Sequence, residues 1–102
     1  MARLVVIYKT PRDAAAFDCH YVTTHVPLAK RIPGLTNYEI SKGPVLTPNG
    51  TSNVHLVAIL HFETLTALQA GLATPEGKAT ADDLKNFAGA GVVLYFFDDM
   101  AA

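Results

Sequence analysis

The stretch Val54–Phe62, which reads VHLVAILHF, is the most continuous apolar run in the chain and predicts a buried β-strand. Two further runs share its content of β-branched and aromatic residues, and another segment alternates apolar with polar side chains as a half-exposed strand does. These segments are Arg3–Lys9 (RLVVIYK), Val92–Asp98 (VVLYFFD) and Leu35–Lys42 (LTNYEISK). The sequence therefore predicts four strands.

Helical segments separate these strands. Asp13 can cap a helix that we expect over Ala14–His25, because Pro27 disfavours helical geometry at the residue before it. Thr64–Leu72 predicts a second helix. Thr74-Pro75 predicts the start of a third, short helix, with threonine at the cap and proline at the first position.

The predicted elements follow the order β-α-β-β-α-β. The two middle strands are joined by Gly43–Asn53, whose Gly-Pro and Pro-Asn-Gly sequences are typical of a long hairpin loop. This order predicts an α+β, ferredoxin-like fold with a four-stranded antiparallel sheet, in a single domain over residues 1–102.

Apolar residues occupy both faces of the predicted strands. In the first strand Leu4 and Val6 alternate with Val5 and Ile7, and the third and fourth strands show the same property. Two helices can cover only one face of such a sheet. We therefore expect a second copy of the chain on the other face, giving a homodimer with sheets paired face to face. A barrel closed within one chain is less favoured, because only four strands are available.

The composition excludes several classes of protein. Half of the 102 residues are hydrophobic, 17% are charged, and the formal net charge is −1, so neither a disordered chain nor a nucleic-acid binder is expected. No apolar run has the length of a secretory core or of a membrane span, which needs about 20 residues. The single cysteine, Cys19, cannot form an internal disulfide, which favours a reducing cytoplasm as the location.

The candidate site lies in the predicted first helix. At about 100° per residue, Phe17, Tyr21 and Thr24 share a stripe that should face the sheet, with His25 beside Tyr21 and His20 at the stripe's other edge. His25 would occupy the last turn, where the helix dipole favours the imidazolium, whereas burial favours the neutral ring. Either outcome gives a group that titrates near neutral pH, as general acid or base chemistry requires.

Six residues form the predicted site. The candidate catalytic residues are His25 and Tyr21, and the candidate substrate-binding residues are Tyr8, Phe17, His20 and Tyr38. Several also have an ordinary structural explanation: His25 can bond free carbonyls at the helix end, Tyr21 can be a core tyrosine with a satisfied hydroxyl, and His20 can be half exposed. Tyr8 and Tyr38 place hydroxyls on otherwise apolar strands, where they need partners.

The remaining titratable residues do not predict a metal site or a cofactor. Asp18, one turn before the site, is either a solvated charge or a partner that orients His25. His55 and His61 share a predicted sheet face but lie nearly 20 Å apart at a rise of about 3.3 Å per residue, too far for one metal ion. His20 and His25 are five residues apart on a helix and therefore splay. A single haem-ligating histidine has no other support in the chain.

Two segments resemble the EthD family, which is named for the degradation of ethyl tert-butyl ether. The first, FDCHYVTTHVPLAKRIPGLTNYEISKG over residues 17–43, contains a Tyr, then His-x-Pro-Leu, Pro-Gly-Leu and a second Tyr. The second, TPEGKATADDLKNFAGAG over residues 74–91, contains a Thr-Pro-Glu-Gly turn followed by Asp-Leu-x-Asn-Phe. Together they span most of the chain in the family's order.

The resemblance implies a dimeric α+β barrel, a fold shared with small cofactor-free monooxygenases, muconolactone isomerase-like proteins and some polyketide-tailoring enzymes. In related fungal proteins the attributed chemistry is dehydration or decarboxylation of aromatic polyketides. The family pattern falls here on two groups of residues: Tyr21, His25 and Pro27, with Pro33-Gly34 as a turn, and Asp83, Asn86 and Phe87.

We hypothesise a cofactor-independent enzyme acting on a small apolar or aromatic, oxygenated metabolite. His25 would move a proton and Tyr21 would position or stabilise an enolate-like oxygen during decarboxylation, dehydration, isomerisation or oxygen-dependent oxidation. The alternative is a non-catalytic binding or accessory protein of an oxygenase system, which needs the pocket but no titrating group. A third hypothesis is a structural dimer without a ligand.

Overall fold

The computed structural model describes residues 1–102 and contains six strands. In chain order they are β1 (Ala2–Lys9), β2 (Leu35–Ile40), β3 (Leu46–Thr47), β4 (Gly50–Thr51), β5 (Val54–Phe62) and β6 (Val92–Asp98). Four of them form an antiparallel sheet in the order β2-β5-β1-β6, and β3 pairs with β4 in a separate hairpin. All four predicted strands are present, and the ferredoxin-like α+β fold is confirmed.

The helices lie on one side of this sheet. They are α1 (Ala14–His20), α2 (Val26–Ala29), α3 (Leu65–Leu72) and α4 (Pro75–Phe87). Asp13, Thr64 and Thr74 cap three of them, each accepting a hydrogen bond of 3.0 to 3.1 Å from a backbone N–H three residues later. The predicted starts are therefore correct. At 13 residues α4 is longer than the short helix expected, and no helix combines the length and hydrophobicity that a membrane span requires.

The helix that carries the candidate site does not end before Pro27, so that prediction is wrong. Tyr21–His25 form a π-helical turn in which the N–H of Val26 donates to the carbonyl of Tyr21, and the helix then resumes over Val26–Ala29. Proline is tolerated here because it lies in the first turn of the resumed segment, where its missing N–H is not needed.

The π-helical turn decides which side chains face the sheet. Phe17, Tyr21, His25 and Ala29 are all buried, although they are spaced by four residues. In a regular α-helix the same interval would rotate Ala29 by about 120° away from Phe17. The wider turn keeps all four side chains on one face. For the same reason Thr24 is exposed, contrary to the regular-helix prediction.

The core fills the space between the helices and one face of the sheet. Leu4, Val6 and Tyr8 of β1 are buried there, in register with buried residues of β5. The largest completely buried side chains are Tyr8, Tyr21, Phe62 and Leu68. Two of these four are tyrosines, so the centre of the core contains hydroxyl groups that need hydrogen-bond partners.

The opposite face of the sheet is apolar and is not covered by any element of the chain. Its centre is formed by half-buried residues of β1 and β5, namely Val5, Ile7, Val57 and Ile59. At the edge, on β6, Tyr95 is 60% exposed and Phe97 is 44% exposed. The prediction of apolar residues on both faces is therefore correct.

A β-bulge interrupts the pairing of β1 with β5. Tyr8 pairs with Leu56 and Lys9 with Val54, so His55 has no partner and turns toward the helices, where it contacts α1. His61 follows the regular register and lies on the opposite face, where it bonds Glu39 at 2.6 Å. The prediction that His55 and His61 share a face is thus wrong, because an unpaired residue reverses the alternation.

We expect Gly77→Ala to destabilise the fold. Gly77 lies where α4 begins against the end of α3, and a Cβ there would be 2.6 Å from the carbonyl oxygen of Leu72 and closer still to that of Gly71. The free energy of unfolding, measured by urea denaturation, should fall by about 1–3 kcal/mol, although alanine ordinarily favours a helix. Gly89→Ala is the control, since a Cβ there meets no atom within 4 Å. Unchanged stability in Gly77→Ala would contradict this close contact.

Candidate active site

The imidazole of His25 is held in one orientation by a carboxylate. His25 ends the π-helical turn and is 4% exposed, and its Nδ1 lies 2.9 Å from Oδ2 of Asp83 on α4. Because a carboxylate only accepts, Nδ1 carries the hydrogen of this bond. In the neutral ring Nε2 therefore has a free lone pair, which is the arrangement of a general base.

Asp83 is itself fixed by three donors. It is 6% exposed, Asn86 Nδ2 donates to its Oδ1 at 2.9 Å, and His20 Nε2 lies 3.0 Å from both oxygens. Burial acts to raise the pKa of Asp83, but the hydrogen bonds from Asn86, His25 and His20 outweigh it and hold that pKa below its usual value. Asp83 is therefore a carboxylate at neutral pH.

The pKa of His25 reflects two opposed influences. Burial lowers it below the ordinary value, and the hydrogen bond and negative charge of Asp83 offset this effect only in part. The neutral form of His25 is consequently the one populated at neutral pH. A buried imidazole with a free Nε2 and a carboxylate behind it can accept a proton and stabilise the resulting charge.

Three tyrosine side chains form a connected group beside His25. The hydroxyl of Tyr8 lies 3.4 Å from Nε2, and those of Tyr21 and Tyr38 share a hydrogen bond of 2.5 Å. The rings of Tyr8 and Tyr21 meet edge to face at 5.5 Å. Burial raises the pKa of all three tyrosines, so each keeps its proton at neutral pH. In the bond between Tyr21 and Tyr38 one hydroxyl donates and the other accepts.

An apolar cavity adjoins these groups. Its volume is about 50 Å³, and Leu4, Val6, Ala58 and Leu84 line it together with Tyr8, Tyr21, His25 and Tyr38. A larger open groove of about 460 Å³ lies between α1 and the loop that carries β3 and β4. Tyr21 lines both spaces. The cavity has room for a reacting group, whereas the groove has the size of a ligand site.

The structure brings four of the six predicted site residues into one cluster: Tyr8, Tyr21, His25 and Tyr38. Phe17 does not line the cavity and packs behind it against the rings of Tyr8 and Tyr21. His20 also lies outside the cavity and contacts Asp83. Phe17 and His20 therefore support the site from behind.

Sequence reasoning missed the partner of His25. Asp18, the candidate orienting group, points to His55 at 2.7 Å, and Asp83 takes the position beside His25. Because 58 residues separate Asp83 from His25, helical spacing could not connect them. The available signal was the Asp-Leu-x-Asn-Phe segment, where Asp83 and Asn86 are three residues apart on one helix face.

No group of three or more His, Cys, Asp or Glu side chains is arranged to hold a metal ion.

The fold and the site together describe a ferredoxin-like α+β domain that has a buried histidine–aspartate pair beside an apolar cavity. The EthD domain model matches residues 9–91, so the chain belongs to the EthD family. An uncharacterised 11.0 kDa protein of Rhodococcus erythropolis, from the thcB-thcC intergenic region, is 38% identical over 99 residues, or 97% of this chain and 95% of that protein. The crystal structure of an EthD family protein from Bacillus halodurans C-125 is 35% identical with a TM-score of 0.90, over 98% of this chain and 99% of that one.

More distant structures share the fold alone. SnoaB of Streptomyces nogalater, a cofactor-independent oxygenase, has a TM-score of 0.68 and 18% identity, over 99% of this chain and 94% of SnoaB. Dimeric ferredoxin-like proteins of unknown function have TM-scores of 0.65 to 0.67 at 14 to 16% identity. The resemblance to the EthD family is confirmed, and the fold is one that dimeric proteins use.

We expect Asp83→Asn to lower the pKa of His25 further, because the negative charge and the accepting carboxylate both raise it in the native protein. The Nδ1–H tautomer of His25 should also be less strongly favoured over the Nε2–H tautomer, because the asparagine side chain can donate as well as accept a hydrogen bond. Nitrogen NMR of the imidazoles across a pH series measures both effects. Glu39→Gln is the control, since it alters the partner of His61 on the opposite face. An unchanged His25 titration in Asp83→Asn would contradict the assigned hydrogen bond.

Proposed function

We propose that the protein is a cofactor-independent enzyme that moves protons on a small apolar or aromatic, oxygenated metabolite, with His25 as the general base. One observation carries this proposal: Nδ1 of His25 is bonded to Asp83, which directs the free Nε2 toward Tyr8 and the apolar cavity. A histidine that served only as a helix cap would bond backbone carbonyls, whereas this ring has a carboxylate on one side and the Tyr8 hydroxyl beside the apolar cavity on the other.

The chemical step follows from the protonation states. Nε2 of His25 takes a proton from a carbon next to a substrate carbonyl. The electron pair of the broken C–H bond forms a C=C bond, and the π pair of the carbonyl moves onto its oxygen, which gives an enolate. Asp83 stabilises the imidazolium that forms, and the hydroxyl of Tyr21 donates a hydrogen bond to the enolate oxygen. Returning the proton to another atom completes an isomerisation, and returning it to a departing hydroxyl completes a dehydration. Decarboxylation and oxidation by molecular oxygen pass through the same type of anion.

The other predicted residues take distinct roles in this proposal. Tyr8 and Tyr38 line the cavity and contact the substrate, and Tyr8 holds Nε2 of His25 when the site is empty. Phe17 packs behind Tyr21, and His20 acts through Asp83.

We also propose that the protein works in a reducing compartment such as the cytoplasm, because its only cysteine is exposed and unpaired.

We expect the wild type to catalyse the exchange of an α-hydrogen of a cyclic or aromatic ketone with deuterium from D₂O. Proton NMR measures the rate of this exchange for each ketone of a panel. His25→Gln should slow exchange by about 10²–10⁴-fold, the contribution of a positioned general base. Because burial lowers the pKa of His25, the rate should be constant around neutral pH and fall only as pH drops through that lowered value.

His61→Gln is the control for this experiment, since it removes an imidazole from the same protein on the opposite face of the sheet. Equal exchange by wild type and His25→Gln would contradict the proposed base. Equal binding of a ketone by both proteins, with exchange by neither, would favour the non-catalytic binding protein instead.

We propose further that the protein is a homodimer joined through the uncovered sheet face. The apolar centre of that face and the exposed aromatic residues of β6 support this, as does the occurrence of the fold in dimeric proteins. A lysine at Ile7, near the centre of the face, would place a charge in the interface without touching the core between sheet and helices.

Light scattering should therefore give twice the chain mass of 10.9 kDa for the wild type and a single chain mass for Ile7→Lys. Leu46→Lys is the matched control, because Leu46 lies in the hairpin and is already exposed. A wild-type protein that remains a single chain at micromolar concentration would refute the dimer.

A further inference from the structure

We propose that the groove between α1 and the β3–β4 loop binds an uncharged, ring-sized molecule through a hydroxyl group, with His55 as the polar contact and Asp18 as its positioning residue. The inference rests on the proposed function, because it places the body of that enzyme's substrate in the groove and the reacting group in the cavity. It identifies a site and a class of ligand that the His25–Asp83 pair alone does not define.

A local distortion of the sheet brings His55 to this groove. In regular pairing with β1 the side chain would point to the far face, but the bulge leaves His55 unpaired and turns it toward α1. Its ring then meets the ring of Phe17 edge to face at 4.8 Å. Bulges that redirect one side chain are frequent beside functional sites, and this one redirects an imidazole.

Asp18 fixes the redirected ring. Its carboxylate lies 2.7 Å from Nε2 of His55, and the side chains of His55 and Asp18 are 21% and 59% exposed respectively. Because the carboxylate accepts, Nε2 carries the hydrogen of this bond. In the neutral ring Nδ1 is then an acceptor, suited to a hydroxyl group of a ligand.

The groove has the size and the lining of a binding site for a ring. Its volume of about 460 Å³ falls within the usual range for small-molecule sites, whereas the cavity beside His25 offers only about 50 Å³. Val22, Ile40 and Leu56 contribute apolar surface, and Thr10, Ser41 and Thr51 contribute hydroxyls. Apolar walls with few polar groups bind a ring and orient its substituents.

The charges of the groove select against anions. No lysine or arginine lines it, so a carboxylate or phosphate would find no cationic partner there. Asp18 is negative, and the pair of Asp18 with His55 has no net positive charge whichever protonation state the imidazole adopts. An anionic ligand would lose hydration without compensation, whereas an uncharged ligand would not.

Tyr21 connects the groove to the proposed catalytic pair. Its side chain lines both spaces, and its hydroxyl is bonded to that of Tyr38. Tyr8 follows on the other side of Tyr21 and reaches Nε2 of His25 at 3.4 Å. Tyr21 is therefore shared by the groove and by the cavity that His25 lines.

The test uses two probes of the same shape and different charge. At pH 7, 2-naphthol is neutral and 2-naphthoate is an anion, and binding of each to the nitrogen-labelled protein is followed by NMR titration. We expect 2-naphthol to bind at least about tenfold more tightly and to shift the signals of Ser41, Thr51 and His55. Equal binding of the two probes, absence of binding, or shifts confined to the cavity residues Leu4 and Leu84 would overturn the proposal.

Variants separate this site from the catalytic one. His55→Gln should weaken 2-naphthol binding about tenfold, the loss expected for one hydrogen bond. Asp18→Asn, which removes the one carboxylate that lines the groove, should raise the affinity for 2-naphthoate. His25→Gln should leave 2-naphthol binding unchanged while slowing deuterium exchange by about 10²–10⁴-fold, so the two proposals fail independently. Unchanged binding in His55→Gln, with a native amide spectrum, would exclude His55 as the contact.

Discussion

The hydrogen bond between Asp83 and His25 is the interaction on which the rest of the site depends. It joins α4 to the π-helical turn through two nearly buried side chains that are 58 residues apart in the chain. A hydrogen bond to a buried charged group is typically worth about 1.5–3 kcal/mol, and losing His25 would leave the Asp83 carboxylate short of one donor. The same bond that attaches α4 therefore also fixes the side of the imidazole that faces the cavity.

Several independent features support this bond. The π-helical turn brings His25 onto the face that Phe17 and Tyr21 already occupy, and Asn86 and His20 hold the carboxylate from its other side. The tyrosine hydroxyls then occupy the remaining polar positions of the core, and no buried side-chain nitrogen or oxygen lacks a partner. The site is thus a continuous polar network enclosed by apolar side chains, which restricts each group to one orientation.

The features that could be predicted from the sequence are those that depend on neighbouring residues in the chain. The four strands follow from their apolar and alternating patterns, and the helix starts follow from Asp13, Thr64 and Thr74, because a cap is decided within three residues. The π-helical turn, the bulge at His55 and the partner of His25 depend on packing between distant segments, so no window of sequence contains them. Those non-local features determine where the predicted His25 points and which carboxylate holds it.

The bulge at His55 has a consequence for how this chain can vary in length. A strand has a period of two, so one extra residue changes the phase of β5 on either side of it. Losing a residue between Leu56 and Phe62 would add a second phase change within β5, so the core residues on one side of the deletion would turn to the opposite face. Length changes that preserve the His25–Asp83 and His55–Asp18 pairs therefore belong in the loop before Val54. There they reshape one wall of the groove and leave both imidazoles in place.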